Sequence, residues 1–268
     1  MVLIRGAGDL ATGAALSFHA AGFRVLMTEI PCPTAIRLTV SFAAAVYEGS
    51  HEVEGVRALL APPSMWLPVL ENGNVAVVVD PAGACAREAA PVVIVDAIMA
   101  KRNLGTARSE KAAVIALGPG FTAGQDADAV IETARGHALG RIIRDGSAST
   151  DTGVPGDIGG KSRERVLRAP ADGRVTLRRQ IGDLVKAGEV IMEVQGQAVV
   201  APFDGCLRGA ISGKASVRCG MKIGDVDPRG ETAYVHTVSD KARAVGRAAL
   251  EAALVLGQER RLFHVSSI

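Results

Sequence analysis

Gly6, Gly8 and Ala11 stand at G-x-G-x-x-A spacing directly after the apolar run Val2–Ile4, and Glu29 closes the next apolar run. That order of strand, glycine turn, helix, strand and acid is the fingerprint of a dinucleotide site. Each position has its own chemistry. Gly6 permits a tight turn. Gly8 lets backbone amides approach a pyrophosphate, and the helix N-terminus adds a favourable field. Glu29 would accept hydrogen bonds from ribose hydroxyls. Asp9 puts a negative charge beside the same spot and opposes an anion. A tight strand-to-helix turn also needs glycine for its own sake, so the pattern has two readings: a phosphate cradle or a plain turn.

Other reactive residue types fall at the ends of apolar runs. Asp80 and Asp96 end the runs from Val75 and Val92, and Gly118 and Gly120 form a second glycine turn in "GPGF". Lys101 and Arg102 would neutralise a phosphate, or serve only as a solvated loop end. Cys32, held between Pro31 and Pro33, is a speculative metal or sulfur contact, with an ordinary loop residue as the alternative. Glu132 and His137 lie five apart, wider than the i, i+4 pair of a helical metal site, so His137 is only a speculative ligand and no metal set is expected. "GDIGGKS" is not a P-loop, because Pro155 stands where that motif requires glycine.

These residues need a frame. Asp9–Ala21 has apolar residues at helical spacing and is stopped by Gly22; 23–29, 75–80, the run from 92 and 113–117 read as buried strands. A helix is expected over 127–135 and a strand over 139–143. Buried runs separated by helices predict a Rossmann-like parallel sheet over 1–145, with ligands at the strands' carboxyl ends. Residues 146–165 read as a polar linker. From 166 to 226 the chain repeats itself at an offset of 32: Pro170, Asp172, Gly173, Val185, Gly188 and Ile191 recur as Pro202, Asp204, Gly205, Val217, Gly220 and Ile223. The pattern predicts a biotinyl/lipoyl-like barrel-sandwich hybrid without its carrier lysine. The hairpin that should bear it reads Gln195–Gly196–Gln197, and Lys186 lies elsewhere. Asp225 and Asp227 suggest a metal pair or a turn before Pro228. Residues 227–268 hold a helix capped by Ser239, with Val238, Ala242, Val245, Ala249, Ala252 and Leu256 on one stripe and Gly257 as its stop. The fold class is therefore α/β followed by a β domain and a C-terminal helix.

The totals set limits. The 268 residues carry a net charge of +2 and few aromatics (3%), which argues against nucleic acid as a partner. No apolar run reaches the ~18 residues of a membrane span, no secretory leader is visible, and the four cysteines lack CxxC spacing. A cytoplasmic protein, free of membrane and able to form a homo-oligomer, is expected.

"IRGAGDLATG", "VDAIMAKRN", "GPGFTAG", "ETARGHALGR", "DTGVPGDIGG", "RVLRAPADG" and "MKIGDVDPRG" together resemble the YqeB-type accessory proteins of the selenium-dependent molybdenum hydroxylase system. The resemblance implies a maturation factor whose partner is a molybdenum hydroxylase or its maturation machinery. The expected ligand is a small phosphate-containing molecule, a molybdopterin-type cofactor or a dinucleotide, bound through Gly6, Gly8, Asp9, Ala11, Glu29, Asp96, Lys101, Arg102, Gly118 and Gly120. The resemblance assigns no catalytic residue. Two alternatives stay open: an NAD-dependent oxidoreductase, favoured over NADP by Glu29, and a non-enzymatic scaffold that docks the hydroxylase.

Overall fold

The computed structural model describes residues 1–263, with only the backbone of Ala86 and Arg87. The chain divides into two units: 1–31 with 42–151 and 239 onward, and 32–41 with 152–238.

The first unit is built on a nine-stranded sheet. Its elements are β1 (Val2–Arg5), α1 (Asp9–Ala20), β2 (Val25–Glu29), α2 (Ala45–Glu48), β3 (Ser50–Val53), β4 (Val56–Ala61), α3 (Trp66–Glu71), β5 (Val75–Val79), α4 (Ala86–Ala89), β6 (Val93–Asp96), β7 (Ala113–Leu117), β8 (Thr122–Ala123), β9 (Ala129–Ile131), β10 (Ile142–Ile143) and β11 (Gly146–Ser147). The sheet order is β10-β9-β7-β6-β1-β2-β5-β4-β3. Pairing is parallel from β9 to β4 and antiparallel at both edges, while β8 and β11 form a separate small ribbon. The central strands are apolar throughout because both their faces are covered: Val2, Ile4, Val25, Met27, Val75, Val77 and Val93 are fully buried.

Most of the chain of the second unit is an interlocked repeat. Strands β12 (Val166–Arg168), β13 (Gly173–Leu177), β14 (Leu184–Val185), β15 (Val190–Val194), β16 (Gln197–Val200), β17 (Gly205–Ala210), β18 (Ser216–Val217) and β19 (Lys222–Asp227) form two antiparallel sheets, β12-β19-β17-β14 and β16-β15-β13-β18. Each sheet takes two short strands from the other repeat: β12 and β14 join β17 and β19, and β16 and β18 join β13 and β15. The matched aspartates do the same: Asp172 accepts from the Cys219 amide at 2.7 Å, and Asp204 accepts from the Ala187 amide at 2.9 Å. One half-unit therefore satisfies the turn of the other. Ile191, Met192, Leu207 and Ile223 make the core between them. The hairpin tip holds Gln195 and Gly196, both at positive φ, and Gln195 packs over Gly173.

The expected pairing of a Rossmann-like domain with a biotinyl/lipoyl-like barrel-sandwich hybrid is corrected by this architecture. The molecule is mixed α/β, with one large, mainly parallel sheet and additional antiparallel sheets. A doubly wound sheet needs a covering helix at each crossover. Here β6 to β7 and β7 to β9 are joined without one, and α2, α3 and α4 have four to six residues each. Apolar runs reveal that strands are buried, not what buries them. The helix expected over 127–135 is also absent. Ala129–Ile131 pairs in parallel with β7 and is fully buried, so sheet burial overrides the helical composition of "DADAVIETAR".

The cover comes instead from a helix distant in sequence. α5 (Asp240–Glu259) is capped by Ser239, whose Oγ accepts from the Ala242 amide at 3.1 Å. It crosses α1 at glycines: a β-carbon on Gly13 would sit 2.5 Å from the Ala242 carbonyl oxygen, and one on Gly246 would strike the Gly13 carbonyl. Helix backbones approach this closely only without side chains between them. The helix continues past Gly257, which leaves room for the Phe263 ring, instead of stopping there.

Candidate functional site

The glycine turn joins β1 to α1 and separates its two glycines by purpose. Gly6 has φ +94°, and a β-carbon there would lie 2.9 Å from the Ala97 carbonyl oxygen, so backbone geometry demands glycine. Gly8 is different. Its φ of −67° and ψ of −176° suit any residue, and nothing lies within 4 Å of where a β-carbon would be. It is also the N-cap of α1, and it provides no side-chain cap for the first-turn amides. Ala11 is fully buried and serves the packing of α1 on the sheet.

Glu29 has a structural task. One oxygen accepts from the Ala7 amide at 2.9 Å and the other from the Ile30 amide at 2.8 Å. Burial raises its pKa above the usual glutamate range, and these two amides pull the other way. The Ala7 carbonyl accepts from the Ala43 amide at 2.8 Å and from the Thr12 hydroxyl. The Ala7 peptide is thus closed from both ends, and the open part of the turn starts at Gly8.

Asp96 is buried beneath the same rim. It accepts from Thr106 Oγ1 at 2.5 Å, from the Ile98 amide at 3.1 Å and from Arg5 at 3.3 Å. Asp80 accepts from the Cys85 amide at 2.8 Å. Its burial favours the neutral form, but the amides of Cys85, Ala84 and Gly83 outweigh that and lower its pKa. The Cys85 thiol is pushed up to about 12 by burial and by its bond to Asp80, which makes it inert as a nucleophile at neutral pH.

The segment after β6 packs against the second glycine turn. Met99 and Lys101 both have positive φ, at 61° and 62°. Such backbone is costly for residues with side chains. A β-carbon on Gly120 would lie 2.6 Å from the Arg102 amide nitrogen, and one on Gly118 2.7 Å from Thr133 Oγ1. Gly118 and Gly120 are therefore packing glycines. Lys101 forms an ion pair with Asp151, and the Arg102 side chain is exposed.

Glu132 follows β9 and accepts from the Ala134 and Ser149 amides, each at 2.7 Å. Burial pushes its pKa up, but the amides prevail and it lies below the ordinary range. His137 is exposed, Cys32 is exposed and belongs to the second unit, and among the described residues no group of three possible metal ligands occurs. Asp225 and Asp227 are occupied by arginines: Asp225 takes Arg165 at 2.6 Å and Arg208, and Asp227 takes Arg229 at 2.6 Å.

One member of the rim has no motif to announce it. Lys241, in the first turn of α5, is half-buried. Burial lowers its pKa; Asp9, Glu132 and Asp151 act in the other direction and Arg135 adds to the lowering. The one sequence signal was a lysine beside a helix N-terminus, where the macrodipole disfavours a cation.

No family model matches the chain. The protein YqeB of Escherichia coli (strain K12), itself described as uncharacterized, is 51% identical over 257 residues, 96% of this chain and 48% of that protein. The chain is similar to YqeB over nearly all of its own length. It spans about half the length of that curated relative. Among solved structures, an aspartoacylase family protein from Mesorhizobium loti is 12% identical with a TM-score of 0.27, covering 84% of each chain. A succinylglutamatedesuccinylase/aspartoacylase from Rhodobacter sphaeroides is 14% identical with a TM-score of 0.24, covering 83% of this chain and 86% of that one. Likeness at these scores carries no argument about chemistry. No helix among the described residues is long and apolar enough to cross a membrane.

Proposed function

We propose that the protein binds a small phosphate-bearing ligand, a molybdopterin-type cofactor or a nucleotide, at the N-terminus of α1, and that it does so as a maturation factor for a molybdenum hydroxylase. The observation that carries the binding half is Gly8. Its glycine is required neither by its φ nor by any neighbour, and it leaves the first-turn amides of α1 without a side-chain cap. An absent side chain that the fold does not need leaves room for a guest, and uncapped amides at a helix N-terminus favour an anion. Asp9 opposes this charge, and Lys241 offsets it. The hydroxylase setting rests on the motifs shared with the YqeB-type family.

The test uses Gly8→Val. Because the site is sterically open and φ is ordinary, this variant should fold like the parent, losing about 1 kcal/mol for the poorer N-cap that valine makes. Mass spectrometry of small molecules released from protein made in a molybdenum-using host should find a phosphate compound with the parent chain, and Gly8→Val should lose it. If the compound stays on the variant at full occupancy, the turn is not the site. The alternative of a scaffold without ligand draws support from the Glu29–Ala7 and Ala43–Ala7 bonds, which brace the turn without any guest. Under that reading no nucleotide or pterin shifts the melting temperature, while a hydroxylase pull-down succeeds.

A further inference from the structure

The stretch that links β6 to β7 crosses the place where the sheet's connections part. From β1 the chain passes to β2 on one side, and from β6 it passes to β7 on the other. In an open parallel sheet the ligand crevice lies at such a parting, beyond the carboxyl ends of the strands. Residues 97–106 cover it as a loop closed at its neck by Asp96, which accepts from the Ile98 amide at 3.1 Å and the Thr106 hydroxyl at 2.5 Å. The far half of the loop is braced. The Asn103 side-chain oxygen accepts from the Gly105 and Thr106 amides at 2.9 and 2.7 Å, its nitrogen donates to Asp126 at 3.1 Å, and Arg5 donates to the Leu104 carbonyl at 3.2 Å.

The near half lacks such bracing. Among the described residues, the backbone amides of Met99, Ala100, Lys101 and Arg102 donate to no protein acceptor. Met99 and Lys101 also hold positive φ, a costly conformation for residues with side chains. Glycines lie beneath: Gly6 under Ala97 and Ile98, Gly118 under Met99, and Gly120 under Lys101 and Arg102. A glycine surface offers no side chains to interlock with. The tip is tied to Asp151 by the exposed Lys101 ammonium. We propose that residues 99–102 form a strap that opens and closes the strand-end crevice, latched shut by Lys101 on Asp151. A strained segment without backbone hydrogen bonds opens at lower cost than the strands beside it. Its fixed ends confine the movement to a swing between Asp96 and Asn103. That the closed strap shelters an anion at Gly8 rests on the function proposed above; the opening itself does not.

The experiment is limited digestion of the full chain with trypsin under native conditions, read by intact mass. A protease needs extended chain in its cleft, so the cut after Arg102 reports the open strap. In the parent this cut should come well before global unfolding. Asp151→Asn should speed it about two- to fivefold, the worth of one exposed ion pair. In a Lys101→Met background the same change should add nothing, which separates the pair from every other contact of Asp151. A parent cut after Arg102 no faster than it unfolds overturns the strap. So does Asp151→Asn cut at the parent's rate, or sped equally when Lys101 is already replaced. Millimolar inorganic phosphate should slow the cut in the parent and leave Gly8→Val unaffected. A parent indifferent to phosphate, with the pair effect intact, upholds the strap and refutes the anion site.

Discussion

At the level of single residues, what a glycine or a carboxylate does is decided by its neighbours and not by its motif. Gly6 and Gly8 look alike in the sequence, yet one is forced by φ and the Ala97 carbonyl and the other by nothing in the fold. Glu29 stands where a ribose-binding acid is expected and instead ties down the Ala7 amide. The Glu132 carboxylate makes the clearest prediction. Its folded pKa is depressed, so its stabilisation is complete above the ordinary glutamate pKa and is lost as pH falls through the lower folded value. Glu132→Gln should cost about 2 kcal/mol at pH 7, the worth of charged bonds to the Ala134 and Ser149 amides. Its stability should then fall less steeply with acid than the parent's, in urea melts between pH 3 and 6. A variant with the parent's acid slope would show that Glu132 is protonated alike in both states. Sequence reading put Glu132 in the helix expected over 127–135 and noted it only for its spacing from His137, because the Ser149 amide that holds it lies beyond a turn whose path spacing does not reveal.

Among the elements, the crossing of α1 and α5 is the contact that most depends on one atom's absence. Gly246→Ala would push a methyl into the Gly13 carbonyl, and the helices would have to part. Overpacking of this kind should lower stability by ~1–3 kcal/mol, visible as an earlier thermal transition. A parent-like melt would mean that the helices slide apart freely. Both helices were legible. α1 follows from its glycine turn and the stop at Gly22, and α5 from its apolar stripe and the Ser239 cap. Their meeting was not, because nothing in either stripe says which glycine faces which. The short segments were the least legible: Ala129–Ile131 is three apolar residues between Asp128 and Glu132, and its pairing with Ile115–Leu117 on one side and Ile142–Ile143 on the other makes it a strand.

For the molecule as a whole, the repeat at an offset of 32 was legible in full from Pro170 to Ile223, whereas the type of sheet it makes was misjudged. The exchange of short strands between β13, β14, β17 and β18 follows from the repeat, but the charges that tie it together do not: Asp225 meets Arg165 across sixty residues of chain. Asp225→Asn leaves Arg165 buried beside a neutral partner, while Arg208 keeps Asp227, and should cost that unit about 3 kcal/mol. Hydrogen exchange of the β17 and β19 amides would report the loss; unchanged protection there would show that the arginines find other partners. The first unit has a temporal consequence too. Its first strand leaves the ribosome long before the helix that seals it, with the other unit's residues translated in between. At ~5–20 residues per second, α1 waits on the order of ten seconds or more with its glycine face bare. A nascent chain stalled ahead of Ser239 should therefore be a ready client for chaperones that bind exposed apolar surface, and the same chain released past Glu259 should not.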